Sequence, residues 1–513
     1  MIRESVYTWL IEWMVPAMEA EYKSEYGKTS SGESTKDGGK LRSWKGKYDK
    51  QVMQYRVDRL RTIVRRLVCG DKVNRFLCDG SRGVIYTYNG VCFTRIEEAG
   101  MFLKELFKRV FTELDLGEKY NDEYPAKMIA DSCLDTLGSS DRYLYKPNRR
   151  YIAFNDAVYD IEQHKVVKAQ PAQCPAIVIG LDYMSKEDAY KAGAEKYGAM
   201  DNPCRLWETK VANPPKGEGI LPNRDARLAF QQWCGTLLSD REKFKNEYVL
   251  FLVGPGANGK SVIANTVVSV FGKENFSCFS FRQLFKDNDS AANIAELRGK
   301  VANFIDDMEG KEISGGDFKR AASGGIFQGR SKYSRQIVKV PFPPLMCCAN
   351  SVPDTDDDSY GGQRRRLVVH TTTKSFVGEE RDTQLTYKLT RPEALMYIFH
   401  WIVEGYRMFA KNKGDIVIGE ELEHAQALIV EQSNSMRRWW FNEGYVAIKE
   451  DEKERRNYLL DLYAEYEAYA AAEGSEHKFS SKELSAMLTA KGCFKGRDQN
   501  RTFFCLKKST TEV

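Results

Sequence analysis

Residues 254–261, Gly-Pro-Gly-Ala-Asn-Gly-Lys-Ser, carry the side chains in this sequence best suited to chemistry, and the chemistry is the handling of phosphate. Gly254, Gly256 and Gly259 lack the Cβ that would keep backbone N–H groups away from an anion, so the loop can close on phosphate oxygens. Pro255, Ala257 and Asn258 complete the loop. Lys260 is spaced to reach the β- and γ-phosphates, and the Ser261 hydroxyl to ligate Mg²⁺. Ser261 also opens a helical run through Val262, and the N-terminus of that helix adds partial positive charge to the same anion. Such a loop works only between a strand and a helix. Residues 248–253 (Tyr-Val-Leu-Phe-Leu-Val) form strands readily, and Val262, Ile263, Val267 and Val270 recur at helical spacing.

Hydrolysis also requires carboxylates near the phosphates. Residues 301–307 (Val-Ala-Asn-Phe-Ile-Asp-Asp) predict an apolar strand ending in Asp306 and Asp307, one aimed at the Mg²⁺ shell and the other at an attacking water. A further apolar strand, 345–349, ends at Asn350, whose amide can hydrogen-bond both the γ-phosphate and the water. Residues 361–366 (Gly-Gly-Gln-Arg-Arg-Arg) precede the strand that starts at Leu367. An arginine of that run can stabilise transition-state charge from a neighbouring subunit. Between the two strands, Lys319 and Arg320 lie on a helix followed by Gly324-Gly325. Arg330, Lys332 and Tyr333 then fall at the tip of an expected hairpin, a basic and aromatic mixture suited to nucleic-acid backbone and base.

The elements that must position these residues point to a multidomain α/β chain. Residues 1–165 read as a mixed α/β domain. Val57, Leu60, Val64 and Leu67 have helical spacing, Asn89-Gly90 marks a hairpin, and 101–114 and 124–137 are helical. Residues 22–50 are Ser/Gly/Lys-rich with Trp44 and Tyr48, a composition suited equally to a solvated linker and to single-stranded nucleic acid. Residues 166–222, punctuated by proline and glycine, read as a connector. Residues 223–445 hold the strands and helices of the phosphate loop and a helical extension. Residues 446–513 combine two helices, the second capped by Ser480 or Ser481 with Glu483, and a terminal hairpin with a basic tip, which is a winged-helix pattern.

Composition narrows the function classes. Of 513 residues, 42% are hydrophobic and 29% charged, as in ordinary globular domains, and no apolar run approaches the ~20 residues needed to cross a bilayer. The N-terminus shows no secretory signal, so a cytoplasmic protein without a membrane partner is expected. The 12 cysteines and 5 histidines form no metal-ligand or disulfide pattern. A net charge of +5 permits nucleic-acid binding through local patches.

In this order, the phosphate loop, Asp-Asp strand, Lys-Tyr hairpin, Asn350 strand and paired arginines resemble the AAA+ superfamily-three helicase core. The branch most similar is that of phage and plasmid primase–helicases and the poxvirus primase–helicase. The likeness is strongest over 226–370. Upstream, Asn89-Gly90 and Phe154-Asn155-Asp156 are similar to that branch's helicase-associated N-terminal domain, with Asp156 where glycine is more usual. The resemblance implies a hexameric ring that hydrolyses ATP at subunit interfaces and moves 3′ to 5′ on single-stranded DNA at a fork. It implies Lys260, Ser261, Asp306, Asp307 and Asn350 in one subunit's site, Arg365 or Arg366 acting from the next, and Lys319, Arg330, Lys332 and Tyr333 on DNA. The carboxylate pattern of a primase is missing, since the clear D-x-D at 354–358 falls within the core. A separate primase or initiator is therefore expected as partner. The competing readings are a primase–helicase with an unrecognised priming site in 1–165, and an initiator or loader that uses ATP only to assemble.

Overall fold

The computed structural model describes residues 7–8, 10–18, 20, 50–69, 75–78, 84–114, 123–139, 144–308, 315–330, 337–350, 366–377, 381–431, 435–474 and 479–508. The chain is mixed α/β and divides into two compact units, Met1–Tyr183 and Met184–Val513.

The first unit is built from local pairings. Helices Lys50–Val68, Ala99–Glu113 and Glu123–Gly138 bury Leu60, Val64, Leu103, Phe107 and Ile129 in one core. Three antiparallel strands accompany them: Phe76–Cys78, Val84–Tyr88 and Phe93–Glu97. The turn between the last two is made by Gly90 at φ 99° and by Asn89, whose Oδ1 accepts from the N–H groups of Val91 (3.0 Å) and Cys92 (2.9 Å). Glycine supplies the left-handed step and asparagine satisfies the freed donors. A second sheet joins Lys165–Val167, Val158–Asp160, Asn148–Ala153 and Pro175–Val178 in that spatial order. Its hairpin turn holds Asn155-Asp156, with Asp156 accepting from the Tyr183 N–H at 2.8 Å. This carboxylate contact ties the turn to residue 183. The proline-punctuated stretch 166–222 contributes the last of these strands to the first unit. In the second unit it forms helices Lys186–Tyr197 and Pro203–Trp207, capped by Ser185 and Asn202.

The second unit is centred on five parallel strands: β1 (Val249–Val253), β2 (Phe276–Ser277), β3 (Ala302–Met308), β4 (Leu345–Ala349) and β5 (Arg366–His370). Their spatial order is β5-β1-β4-β3-β2. Every residue of β1 and β4 is buried, which is why both read as uninterrupted apolar runs rather than alternating ones. The outer edge of β5 is answered by a side chain: Gln426 donates to Val368 O at 2.6 Å and accepts from Val368 N at 3.2 Å. Helix α1 (Arg224–Thr236) precedes β1, and α2 (Lys260–Phe271) follows it. Helix α3 (Ser290–Glu296) lies between β2 and β3, and α4 (Gly315–Ala322) between β3 and β4. Helix α5 (Pro392–Lys411) crosses α1 where Gly235 and Gly405 let the two backbones meet, as a Cβ on either would strike the other helix.

An antiparallel ribbon, Ile326–Arg330 with Ile337–Pro341, leaves the sheet between α4 and β4. Phe327, Phe342 and Phe285 pack its base, and Gly329 brings it against the backbone of Ala295 on α3. Toward the C-terminus, helices α6 (Leu459–Ala472) and α7 (Ser481–Ala490) pack with strands Tyr445–Ala447, Arg456–Tyr458, Lys495–Asp498 and Arg501–Lys508. Ser480 caps α7 and the Glu483 carboxylate accepts from the Ser480 N–H at 2.7 Å, while Leu484, Met487 and Leu488 face inward. Among the described residues no helix is long and apolar enough to cross a membrane.

Candidate functional site

The loop after β1 lies where connections of the sheet diverge. β1 runs on to β2 across β4 and β3, whereas β4 runs on to β5 back across β1, and the crevice between β1 and β4 is the position at which open parallel sheets bind ligands. Gly254 N donates to Ala349 O at 3.3 Å, joining the start of the loop to β4. Ala257 (φ 58°) and Gly259 (φ 91°) take left-handed conformations, and Gly259 caps α2. Glycine is needed there twice over, since a Cβ would also press on the Ile220 side chain at 2.8 Å. Among the described residues no heavy atom lies within 4 Å of the Cβ position at Gly256, so on their side the mouth of the loop is open.

Lys260, the first residue of α2, is 8% exposed. Its Nζ donates to Gly254 O (2.6 Å), Pro255 O (2.7 Å), Asn258 Oδ1 (3.2 Å) and Asn350 Oδ1 (3.4 Å), four neutral oxygens. Burial draws the lysine below its ordinary pKa, against the opposing pull of Cys348 and Asp307. Asn258, 1% exposed, donates through Nδ2 to Thr371 Oγ1 (2.5 Å) and Thr372 O (3.1 Å). Ser375 Oγ and Phe376 N donate to the carbonyls of Gly256 (3.0 Å) and Ala257 (2.8 Å). The segment following β5 therefore straps the loop from one side.

Asp306 and Asp307 sit on a β-bulge. Ile305 pairs with Cys347 and Met308 with Ala349, so two residues of β3 oppose one of β4. In a regular strand neighbouring side chains point to opposite faces. Here both carboxylates are exposed, although residues 302–305 are buried. Both acids and Lys260 act on Cys348 of β4, whose thiol is pushed up to about 12 by burial first and then by Asp306, with Lys260 opposing. Lys260, Asp306, Asp307 and Asn350 thus converge on the C-terminal edge of β1, β3 and β4.

The residues present suit a nucleotide with Mg²⁺. The ammonium is held by neutral oxygens beside an open loop, and Ser261 and both carboxylates are exposed oxygen donors. Among the described residues no group of three or more His, Cys, Asp or Glu side chains is placed to hold a metal by itself.

A family described as a family of unknown function (DUF5906) matches residues 252–366. Among solved structures, the chain is similar to the A-form apo structure of the NrS-1 C-terminal region, at 10% identity over 83% of this chain and 94% of that one, with a TM-score of 0.40. It is similar also to the apo structure of the NrS-1 C-terminal region (305-718), at 10% identity over 84% and 95%, with a TM-score of 0.40.

Not every expected residue joins this edge. Arg366 pairs with Val249, at the start of β1, so its backbone lies about 13 Å along the sheet from the loop. Lys319 is half-buried on α4, and Arg330 is exposed at the end of the ribbon strand, opposite Ile337. Arg365, Lys332 and Tyr333 lie outside the described residues. Sequence reasoning missed Ile220, Thr371, Thr372, Ser375 and Phe376. A signal was available in Thr371-Thr372-Thr373, hydroxyls directly after an apolar strand, at the end of a parallel sheet where ligands bind.

Proposed function

We propose that residues 249–370 form a P-loop ATPase core of the AAA+ superfamily-three type, and that the chain is an ATP-driven replicative DNA helicase of a phage or mobile element. The working form would be a hexameric ring that moves 3′ to 5′ on single-stranded DNA, with residues 446–513 as a winged-helix-like appendage. The observation that carries this reading is the Lys260 ammonium, buried on neutral oxygens at the open mouth of a loop that caps a helix.

In this reading Lys260 and the N-terminus of α2 bind the β- and γ-phosphates, and residues 254–262 close around them. Ser261 and Asp306 would hold Mg²⁺, which supplies charge neutralisation across the phosphate oxygens. Asp307 accepts a proton from the attacking water, and Asn350 orients that water. Arg365 or Arg366 completes the site from a neighbouring subunit. The pairing of Arg366 with Val249 supports this, because it sets the arginine backbone at the sheet edge away from its own loop. Lys319, Arg330, Lys332 and Tyr333 contact DNA.

The test is ATP hydrolysis and strand displacement on a forked duplex by the full chain. Displacement that requires ATP hydrolysis is expected. Hydrolysis without displacement would leave an ATP-driven loader, and neither activity would overturn the reading. The arginine assignment is read by mixing Arg365→Ala or Arg366→Ala chains with Lys260→Ala chains. Sites built from two chains give hydrolysis above either parent, whereas parental activity despite co-assembly argues for a role within one chain.

A further inference from the structure

Asn258 and Thr371 stand between the lysine ammonium and the end of β5, and no step above uses Thr371. The hydroxyl-bearing residue is 5% exposed, so its hydrogen bonds are made within the protein. Both protons of the Asn258 amide nitrogen are committed, one to Thr371 Oγ1 at 2.5 Å and one to Thr372 O at 3.1 Å. A backbone carbonyl only accepts, so this side of the amide carries the nitrogen and the other side carries the oxygen that accepts from Lys260 Nζ at 3.2 Å. Thr371 Oγ1 has a single proton and donates it to Val253 O at 3.2 Å, so toward Asn258 it accepts. The result is a chain of hydrogen bonds with one direction, from Lys260 through Asn258 and Thr371 to the last carbonyl of β1. Turning the Asn258 amide over would set nitrogen against ammonium and oxygen against the Thr372 carbonyl.

We propose that Thr371 is a positioning residue for Lys260. Together with the Thr372 carbonyl it fixes the direction of the Asn258 amide and keeps that oxygen beside the ammonium, so that Asn258 shares the charge with Asn350, Gly254 O and Pro255 O. This rests on the reading of Lys260 as the phosphate-binding group. The rest of the strap is independent of the hydroxyl, since Ser375 and Phe376 hold the loop carbonyls themselves.

The test compares ATP turnover in the full chain carrying Thr371→Val, Thr371→Ser, Asn258→Ala and the double substitution Thr371→Val with Asn258→Ala. Thr371→Val, close in shape, is expected to lower kcat about tenfold with KM changed less than about threefold, and Thr371→Ser to recover turnover to within about twofold. The double variant should be no slower than the slower single variant, because both substitutions break one chain. Wild-type turnover in Thr371→Val, or multiplicative losses in the double variant, overturns the proposal. So does an equal fall of turnover and melting midpoint in Thr371→Ser, which would assign the effect to the methyl group. Should Thr371→Val fold poorly, the comparison of Asn258→Ala with Thr371→Ser still decides. Lys260→Ala separates the two levels: hydrolysis surviving there rejects the phosphate-binding reading itself, whereas its loss beside an unaffected Thr371→Val rejects the positioning role alone.

Discussion

Two cationic regions of the second unit treat charge in opposite ways. At the loop after β1, Lys260 is surrounded by neutral oxygens and burial lowers its pKa. Near the C-terminus, Lys508 lies 2.6 Å from Glu443 and 3.2 Å from Glu465, and the hydrogen bond to Glu443 raises its pKa. Arg456 there is forked onto Asp451 and stacked over Phe503, with Asp498 at 3.6 Å. A cation already matched by carboxylates gains little from a phosphate, which would have to displace them. A cation desolvated by carbonyl and amide oxygens still has its charge to neutralise, and an incoming anion relieves the cost of its burial. The difference teaches that basic residues mark an anion site by what surrounds them, not by their number.

The comparison breaks most sharply on turnover. Lys260→Ala is expected to reduce ATP hydrolysis by roughly 10²–10³ and to abolish the rise in melting midpoint given by ADP, whereas Arg456→Ala should leave both within about twofold of wild type. Steady-state hydrolysis and a thermal melt with ADP check this, and a turnover defect in Arg456→Ala of comparable size would erase the distinction. The smaller effect is on stability against pH. Lys260 has a folded pKa below the ordinary lysine value of 10.5. Between those two values the unfolded chain carries a proton that the folded chain has released, so this group makes stability rise with pH. Lys260→Met removes the titration. Its melting midpoint relative to wild type should therefore be highest near neutral pH and decline by about a degree or two as pH climbs toward 10.5. Lys508 has the opposite sign: its contribution is present below 10.5 and lost as pH rises through its raised value. Lys508→Met should accordingly melt below wild type until that alkaline limb is reached.

Much of the framework of the candidate site was legible because its parts are local. The strand before Gly254, the helix after Lys260 and the Asp306-Asp307 strand end each follow from a short run of residues, and the structure forms β1, α2 and β3 there. Asn89-Gly90 and Ser480 likewise announce their turn and cap within four residues of sequence. What could not be read was order and register. Nothing in the residues of β5 states that it pairs with β1 rather than with β4, so the approach of Thr371 to Asn258, 113 positions apart, stayed hidden. The stretch 166–222 illustrates another limit. Its prolines and glycines mark breaks, yet Pro175 begins a strand and Pro203 a helix, where the missing N–H is harmless.

The offset in β3 makes length, not only composition, decide which side chains this edge presents. The strand behaves as a vernier against β4: one surplus residue between Ile305 and Met308 converts alternate pointing into two side chains facing outward together. Removing either aspartate by deletion would do more than subtract a carboxylate. It would close the surplus and leave the remaining acid directly opposite Cys348, in register with a strand buried along its whole length. Substitutions at 306 and 307 alter which groups are offered, while a change in count alters whether they are offered at all.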